Sequence, residues 1–356
     1  MRRYCWLIVL AVQLGSAIGC GPSTTVTLQG CGATFPAPLY KRWFLEYYHQ
    51  HPDVRVNYQP VGSGAGIQQF EEGLVLFGAS DEALKPERLM EIAKKLTKVE
   101  RHAVDLIQVP LTGGSVAICY NLPGDPHLKL SRKAYIDMLL GEITYWDDPR
   151  IQSLNPDVSL PHLEMTFVRR AESGGTTFVF TNHLNAIDAR WTTAKGGPGV
   201  GKTVQWPVGI GGKGGAGVNA LILQTPGSFG YIEAGYAKLT GLPTAALENQ
   251  SGNFVMPTAA NSTEALKEAR FNEVLGAAVP DPKGVDAYPI VSFTWVVCRK
   301  SYLDPKQAAK LKDVLSYCLD TEANGGQALS VELGYVPLPT DAILKARKAV
   351  SEIRTE

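Results

Sequence analysis

Val54-Arg55-Val56-Asn57-Tyr58-Gln59-Pro60, running through Val61 into Gly62-Ser63-Gly64-Ala65-Gly66-Ile67, is the stretch that decides the fold. Its first half alternates apolar and polar residues, the period of a half-buried strand, and the glycines then turn the chain into a helix starting near Ile67. Upstream, Leu39, Trp43, Phe44 and Tyr47 recur at helical spacing after Pro36 and Pro38, which predicts a helix from about Pro38 to Gln50. Downstream, Leu74 to Ala79 reads as a buried strand that runs out at Ser80-Asp81, before a helix over Pro86 to Lys95. Leu106 to Pro110, Val116 to Tyr120 and Val291 to Val297 are further strands, and Pro305 to Leu319 is a last helix. Strands alternating with helices specify an α/β architecture.

At 356 residues the chain is long enough for two domains. It shows no internal repeat and no low-complexity linker. The chain is expected to pass between domains on extended segments near Pro110–Gly113 and Tyr288–Ser292. Lys and Arg total 34 against 34 Asp and Glu, a balance that argues against a nucleic-acid binder.

The N-terminus is a targeting segment. Arg2 and Arg3 precede an apolar run from Tyr4 to Val12, too short to span a membrane, and small residues lead to Cys20. Ser16-Ala17-Ile18-Gly19-Cys20 resembles a bacterial lipobox, with Ala17 where Leu is more usual. Cleavage of residues 1–19 would leave Cys20 to carry lipid, and 32 basic against 34 acidic side chains would remain. Cys5 departs with the signal. Cys31, Cys119, Cys298 and Cys318 remain, either as buried thiols or as disulfides in one of three pairings; Cys119 and Cys298 would meet if their strands paired. The scattered His residues suggest no metal site.

Gly196-Gly197-Pro198-Gly199-Val200-Gly201-Lys202-Thr203 fits the P-loop pattern letter for letter. The pattern cradles phosphates only between a strand and a helix. Here a helix-like, polar stretch precedes it and an extended, proline-broken stretch follows. The loop is therefore read as a flexible connection and not as a nucleotide site.

Four segments share one design, with hydroxyls or charge where an extended run or loop meets a helix. They are Gly32-Ala33-Thr34-Phe35-Pro36-Ala37-Pro38, Gly62 to Gly66, Phe77-Gly78-Ala79-Ser80-Asp81, and Val168-Arg169-Arg170-Ala171-Glu172-Ser173-Gly174-Gly175-Thr176-Thr177-Phe178. Helix N-termini carry unpaired N–H donors and partial positive charge, Ser and Thr add O–H donors, and Arg170 would add a fork suited to a tetrahedral oxyanion. Each feature alone is ordinary: Ser or Thr before a helix is usually a cap, and one Arg is usually solvated. The set carries the argument.

Together these segments closely resemble the phosphate-binding receptor of bacterial high-affinity phosphate transporters. The resemblance covers nearly all of the mature chain and, besides the four segments, includes Leu140 to Pro149, Gln205 to Gly214, Pro226 to Glu233 and Ala287 to Ile290. It implies a two-lobed periplasmic-binding-protein fold with crossover hinge strands and the ligand cleft between the lobes. The divisions expected are a signal peptide at 1–19, a lipid-anchored segment at 20–31, lobe I at 32–111, lobe II at 112–289 and a return to lobe I at 290–356. It implies inorganic phosphate as ligand, no cofactor, no catalytic residue and no metal. The chain is then expected as a lipid-anchored extracytoplasmic monomer handing phosphate to the permease subunits of an ABC transporter and their cytoplasmic ATPase.

Residue by residue, the resemblance implies that Thr34 donates through its hydroxyl and N–H, Phe35 through its N–H, and Ser63 from its helix start. Arg170 pairs with the anion and Glu172 orients it, while Gly175 and Thr176 donate from a helix start. The family usually reads Gly-Ser-Gly-Thr where this chain has Ser173-Gly174-Gly175-Thr176. Gly174 therefore retains only its N–H, and Ser173 or a water is left to supply the hydroxyl.

Asp81 is the discriminating residue. A carboxylate facing an anion makes sense when the ligand carries a proton, as phosphate does near neutral pH and sulfate does not, so the wrong ligand is penalised. The plainer reading makes Asp81 the cap of the helix at Pro86. A receptor for an unprotonated oxyanion would account for everything but Asp81. A nucleotidase or phosphatase would need a nucleophile with its base, or a metal cluster, and the sequence offers neither.

Overall fold

The computed structural model describes residues 25–355. The signal, Cys5, Cys20 and the start of the expected anchored segment lie outside the described residues.

The chain begins β1 (Val26–Gly32), α1 (Ala37–Gln50), β2 (Val54–Gln59), α2 (Ser63–Glu71), β3 (Phe77–Ser80), α3 (Pro86–Glu100) and β4 (Leu106–Tyr120). It continues with β5 (Lys129–Leu130), α4 (Arg132–Leu140), α5 (Pro149–Gln152), β6 (Thr166–Arg170), α6 (Gly175–Ile187), β7 (Ile210–Gly212), α7 (Gly214–Gln224), β8 (Ser228–Glu233) and α8 (Ala234–Thr240). After β9 (Ala246–Glu248), β10 (Phe254–Val255) and α9 (Ala259–Leu266), β11 (Val291–Arg299) returns to the main sheet. The last elements are β12 (Ser301–Tyr302), α10 (Pro305–Cys318), α11 (Gly326–Glu332), α12 (Thr340–Ser351) and β13 (Arg354–Thr355).

One eight-stranded sheet, ordered β2-β1-β3-β11-β4-β8-β6-β7, runs through both lobes. β1 is parallel to β2 and β3, and β6 is parallel to β7 and β8; β11 and β4 run antiparallel between these two groups. Leu106 to Ser115 of β4 pair with β11, and Val116 to Tyr120 pair with β8. The two strand segments expected at Leu106 and Val116 are thus one strand, which continues through Pro110. The β4–β11 register slips between Thr294 and Trp295, opposite Leu111, a bulge that accommodates a proline with no N–H to give.

Helices bury their apolar faces on the sheet. In α1 these are Leu39, Trp43, Phe44 and Tyr47, whose spacing predicts the helix, joined by Tyr40. Trp43 is fixed at its polar end by its indole N–H to the Gly326 carbonyl, 2.6 Å. Two boundaries differ from expectation. α2 starts at Ser63 rather than near Ile67, because Gly62, at φ 97°, makes the turn in one residue. β3 is confined to Phe77–Ser80, with Leu74 65% exposed; the apolar run begins before the chain enters the sheet.

Cys31, Cys119, Cys298 and Cys318 are buried free thiols. Cys298 lies opposite Ile107, at the far end of β4 from Cys119, so the suggested meeting of those two does not occur.

Candidate functional site

β1, β2, β3 and β6 deliver their C-terminal ends to the space between the lobes. Thr34 and Phe35 occupy the turn between β1 and α1, Ser63 opens α2, Asp81 follows β3, Arg170 closes β6, and Gly175 and Thr176 open α6. The two parallel groups run in opposite directions and end facing each other near the middle of β4, and the helix that follows each strand starts there with free N–H groups.

The two lobes touch across this space. The Gly64 N–H donates to the Ser173 carbonyl at 3.1 Å. A Cβ on Gly175 would stand 2.4 Å from Ser63 Oγ and 2.6 Å from Asp81 Oδ2. No other residue type allows the α6 start to approach lobe I this closely.

Arg170 is 3% exposed. Its Nε donates to Glu172 Oε1 at 2.5 Å, its Nη2 donates to the same oxygen, and its Nη1 donates to Thr176 Oγ1 at 3.1 Å. The other Glu172 oxygen accepts the Gly214 N–H at 3.0 Å. Glu172 therefore ties the guanidinium to the start of α7. Against the cost of its burial, Arg170 holds the Glu172 carboxyl below its ordinary range.

Asp81 is 1% exposed. Thr294 Oγ1 donates to its Oδ1 at 3.0 Å, Ser63 Oγ to its Oδ2 at 3.4 Å, and its own N–H donates to Ser63 Oγ at 3.3 Å. Burial pushes the carboxyl up to about 7, against the Thr294 hydroxyl, the charges of Arg170 and Lys202 and the Ser63 hydroxyl, all of which favour ionisation. Asp81 is not a cap: α3 begins after Lys85.

The remaining expected residues are placed as follows. The Thr34 hydroxyl is buried with no hydrogen-bond partner in the protein. The Phe35 carbonyl accepts the Tyr335 hydroxyl at 2.7 Å, which fixes the peptide that follows Phe35. The Gly174 N–H, an expected donor, instead donates to the Lys202 carbonyl at 3.0 Å, because the glycine loop packs onto it. Ser173 lies against Gly64, whose added Cβ would meet Ser173 Oγ at 2.3 Å; its hydroxyl faces the lobe contact.

The sequence reading missed Glu233, at the end of β8. It is fully buried, and neither of its carboxylate oxygens has a protein partner. Burial pushes it up to about 8, with the Arg170 charge opposing and those of Asp81 and Glu172 adding. A single acid ending the apolar run Ser228-Phe229-Gly230-Tyr231-Ile232 was the available signal. Thr294 was also missed, and only strand pairing reveals it. Among the described residues no cluster of His, Cys, Asp and Glu could hold a metal ion.

The P-loop look-alike has no strand before it and no helix after it. Aromatic and hydroxyl groups hold it in place. The Gly199 N–H donates to the Trp191 carbonyl at 2.8 Å, the Trp191 indole N–H donates to the Gly199 carbonyl at 2.8 Å, and the Gly201 N–H donates to Thr181 Oγ1 at 3.2 Å.

What the cleft can do chemically is bind a small, tetrahedral, proton-bearing anion. It combines one buried guanidinium, several hydroxyls, two helix starts and a carboxyl near its titration point.

The model of the PBP superfamily domain matches residues 21–322. The phosphate-binding protein PstS of Methanocaldococcus jannaschii is 35% identical over 98% of this chain and 94% of its own length. The protein of the same name from Haemophilus influenzae is 36% identical over 89% of this chain and 90% of its own. Among solved structures, a high-affinity periplasmic phosphate-binding protein (PfluDING) bound with phosphate superposes with a TM-score of 0.73 at 24% identity, covering 91% of this chain and 93% of that one.

Proposed function

The chain belongs to the PBP superfamily and, within it, to the phosphate-binding proteins PstS, and from that membership we propose that it is the extracytoplasmic receptor that binds inorganic phosphate and delivers it to an ABC phosphate import transporter. It is a binding protein rather than an enzyme. The observation that carries the ligand assignment is the pairing of a buried Arg170 with a buried Asp81 in one cleft between two helix starts. The guanidinium demands an anion, and the carboxyl demands that the anion bring a proton.

The ligand contacts we assign are the hydroxyls of Thr34, Ser63 and Thr176, the guanidinium of Arg170, the N–H groups of Phe35, Gly175 and Thr176, and Asp81 as acceptor. The unpartnered Thr34 hydroxyl and the open first turn of α6 support this assignment. Gly174 serves by letting the Arg170 guanidinium lie flat beside it, since an added Cβ would stand 3.2 Å from its Cζ. Lobe I comprises 32–111 with 290–356, and lobe II comprises 112–289. The receptor acts as a monomer, tethered through lipid on Cys20 once residues 1–19 are removed; no helix among the described residues is long and apolar enough to cross a membrane. Its partners are the permease subunits and their ATPase.

The test is equilibrium binding of phosphate to the protein lacking residues 1–20, with sulfate as competitor and a phosphomonoester as potential substrate. Saturable phosphate binding at one site, poor competition by sulfate and no release of phosphate from the ester are expected. Turnover of the ester, or equal affinity for sulfate, would overturn the reading.

A further inference from the structure

The glycine loop at Gly196–Thr203 has a P-loop lysine but lacks P-loop surroundings, which leaves Lys202 to be explained. Its Nζ lies 2.9 Å from Glu82 Oε2, with the two side chains 19% and 28% exposed. Glu82 directly follows Asp81 on lobe I, whereas Lys202 belongs to lobe II. The Lys202 carbonyl also accepts the Gly174 N–H at the threshold of α6. One residue thus grips the α6 start through its backbone and the Asp81 turn through its side chain.

Both ends of this grip are held in place beforehand. Ser80 Oγ donates to the Glu82 carbonyl at 2.8 Å and accepts the Glu82 N–H at 3.1 Å. On the other side, Trp191 and Thr181 pin the glycine loop at Gly199 and Gly201. With both backbones already set, pairing has to order only the two side chains, so less freedom is lost than when a surface ion pair must also order its loops. The pair exists only while the lobes are in contact, so its free energy acts on the closed state alone.

We propose that Lys202 is a positioning residue that latches the closed lobes over bound phosphate through Glu82, and so sets how slowly the ligand leaves. The inference rests on the reading of the cleft as a phosphate site. An alternative role, general attraction of anions, has a different kinetic signature. Steering acts on the association rate, and removal of Lys202 and removal of Glu82 would then change that rate in opposite directions. A latch acts on dissociation, and both removals change it the same way.

The experiment measures phosphate association and dissociation by stopped flow for the wild type, Lys202→Ala, Glu82→Gln and the exchanged pair Lys202→Glu with Glu82→Lys, at low and high salt. Each single variant is expected to dissociate about fivefold faster, with association within about twofold of wild type. The exchanged pair should restore slow dissociation, and salt should speed the wild type toward the single variants. An unchanged dissociation rate in Lys202→Ala, opposite shifts in association for the two single variants, or no rescue by the exchange would overturn the latch while leaving phosphate binding itself intact. A wild-type protein that binds no phosphate would instead sink the functional reading.

Discussion

Replacing Asp81 by Asn keeps the shape of the side chain and removes its charge. In the wild-type cleft the carboxylate has only hydroxyl partners, Thr294 at 3.0 Å and Ser63 at 3.4 Å, so it can take a further proton donor from a ligand. A hydrogen bond to a charged group is worth about 1.5–3 kcal/mol. On the proposed reading phosphate makes that bond, whereas sulfate, with no proton to give, would meet the carboxylate lone pairs. In Asp81→Asn phosphate should weaken by about tenfold and sulfate should gain, contracting the affinity ratio by about 100-fold. The wild-type ratio should also contract as pH falls through about 7, where Asp81 takes up its own proton, whereas the variant ratio should stay flat over that interval apart from the titration of phosphate itself. Calorimetric titration with both anions from pH 5 to 8.5 reads all three quantities. An affinity ratio unchanged by the substitution would refute the role of Asp81 as proton acceptor.

Three further outcomes follow from the same geometry. Arg170→Ala removes a buried guanidinium and leaves Glu172 and Glu233 without it; phosphate affinity should fall by at least about 100-fold in the same titration, and wild-type affinity would remove Arg170 from the site. Gly175→Ala places a Cβ 2.4 Å from Ser63 Oγ, so the lobes should fail to close; small-angle scattering should show no compaction on adding phosphate, while the melting temperature without phosphate stays near wild type. Glu233 holds its proton to about pH 8 when folded and to the ordinary glutamate value of 4.5 when unfolded. The folded state binds more protons in that window, so its stability falls as pH rises from about 4.5 to 8. Glu233→Gln should flatten part of that decline in melting temperature without phosphate; below pH 7 Asp81 adds a slope of the same sign, and buried His183, held down to about 4, adds one of the opposite sign.

The fold was legible wherever one element's local pattern decided it. Leu39, Trp43, Phe44 and Tyr47 mark α1, and Val54 to Gln59 mark β2, because the buried face repeats at the element's own period. Local patterns cannot report pairing, which is why β4 read as two strands interrupted at Pro110 and why Thr294 was not linked to Asp81. The proposed site is visible in the sequence as helix starts carrying hydroxyls, and as one Arg and one Asp at strand ends. Glu233, Glu82 and Lys202 were not, since their importance comes from what faces them across the sheet or the cleft. The same limit applies to Gly174, whose N–H is taken by a carbonyl 28 residues further along the chain.

The arrangement stands on one seat for one protonated tetrahedral anion, and the crystal structure of the chain grown with phosphate tests that seat most directly. The account expects a single phosphate bonded by Thr34 Oγ1, Ser63, Arg170 and the first-turn N–H groups of α6, with one Asp81 oxygen at about 2.5–2.7 Å from a phosphate oxygen, the span of an O–H to carboxylate bond. Phosphate lodged elsewhere on the molecule, or seated in the cleft with Asp81 turned away from it, would contradict the account.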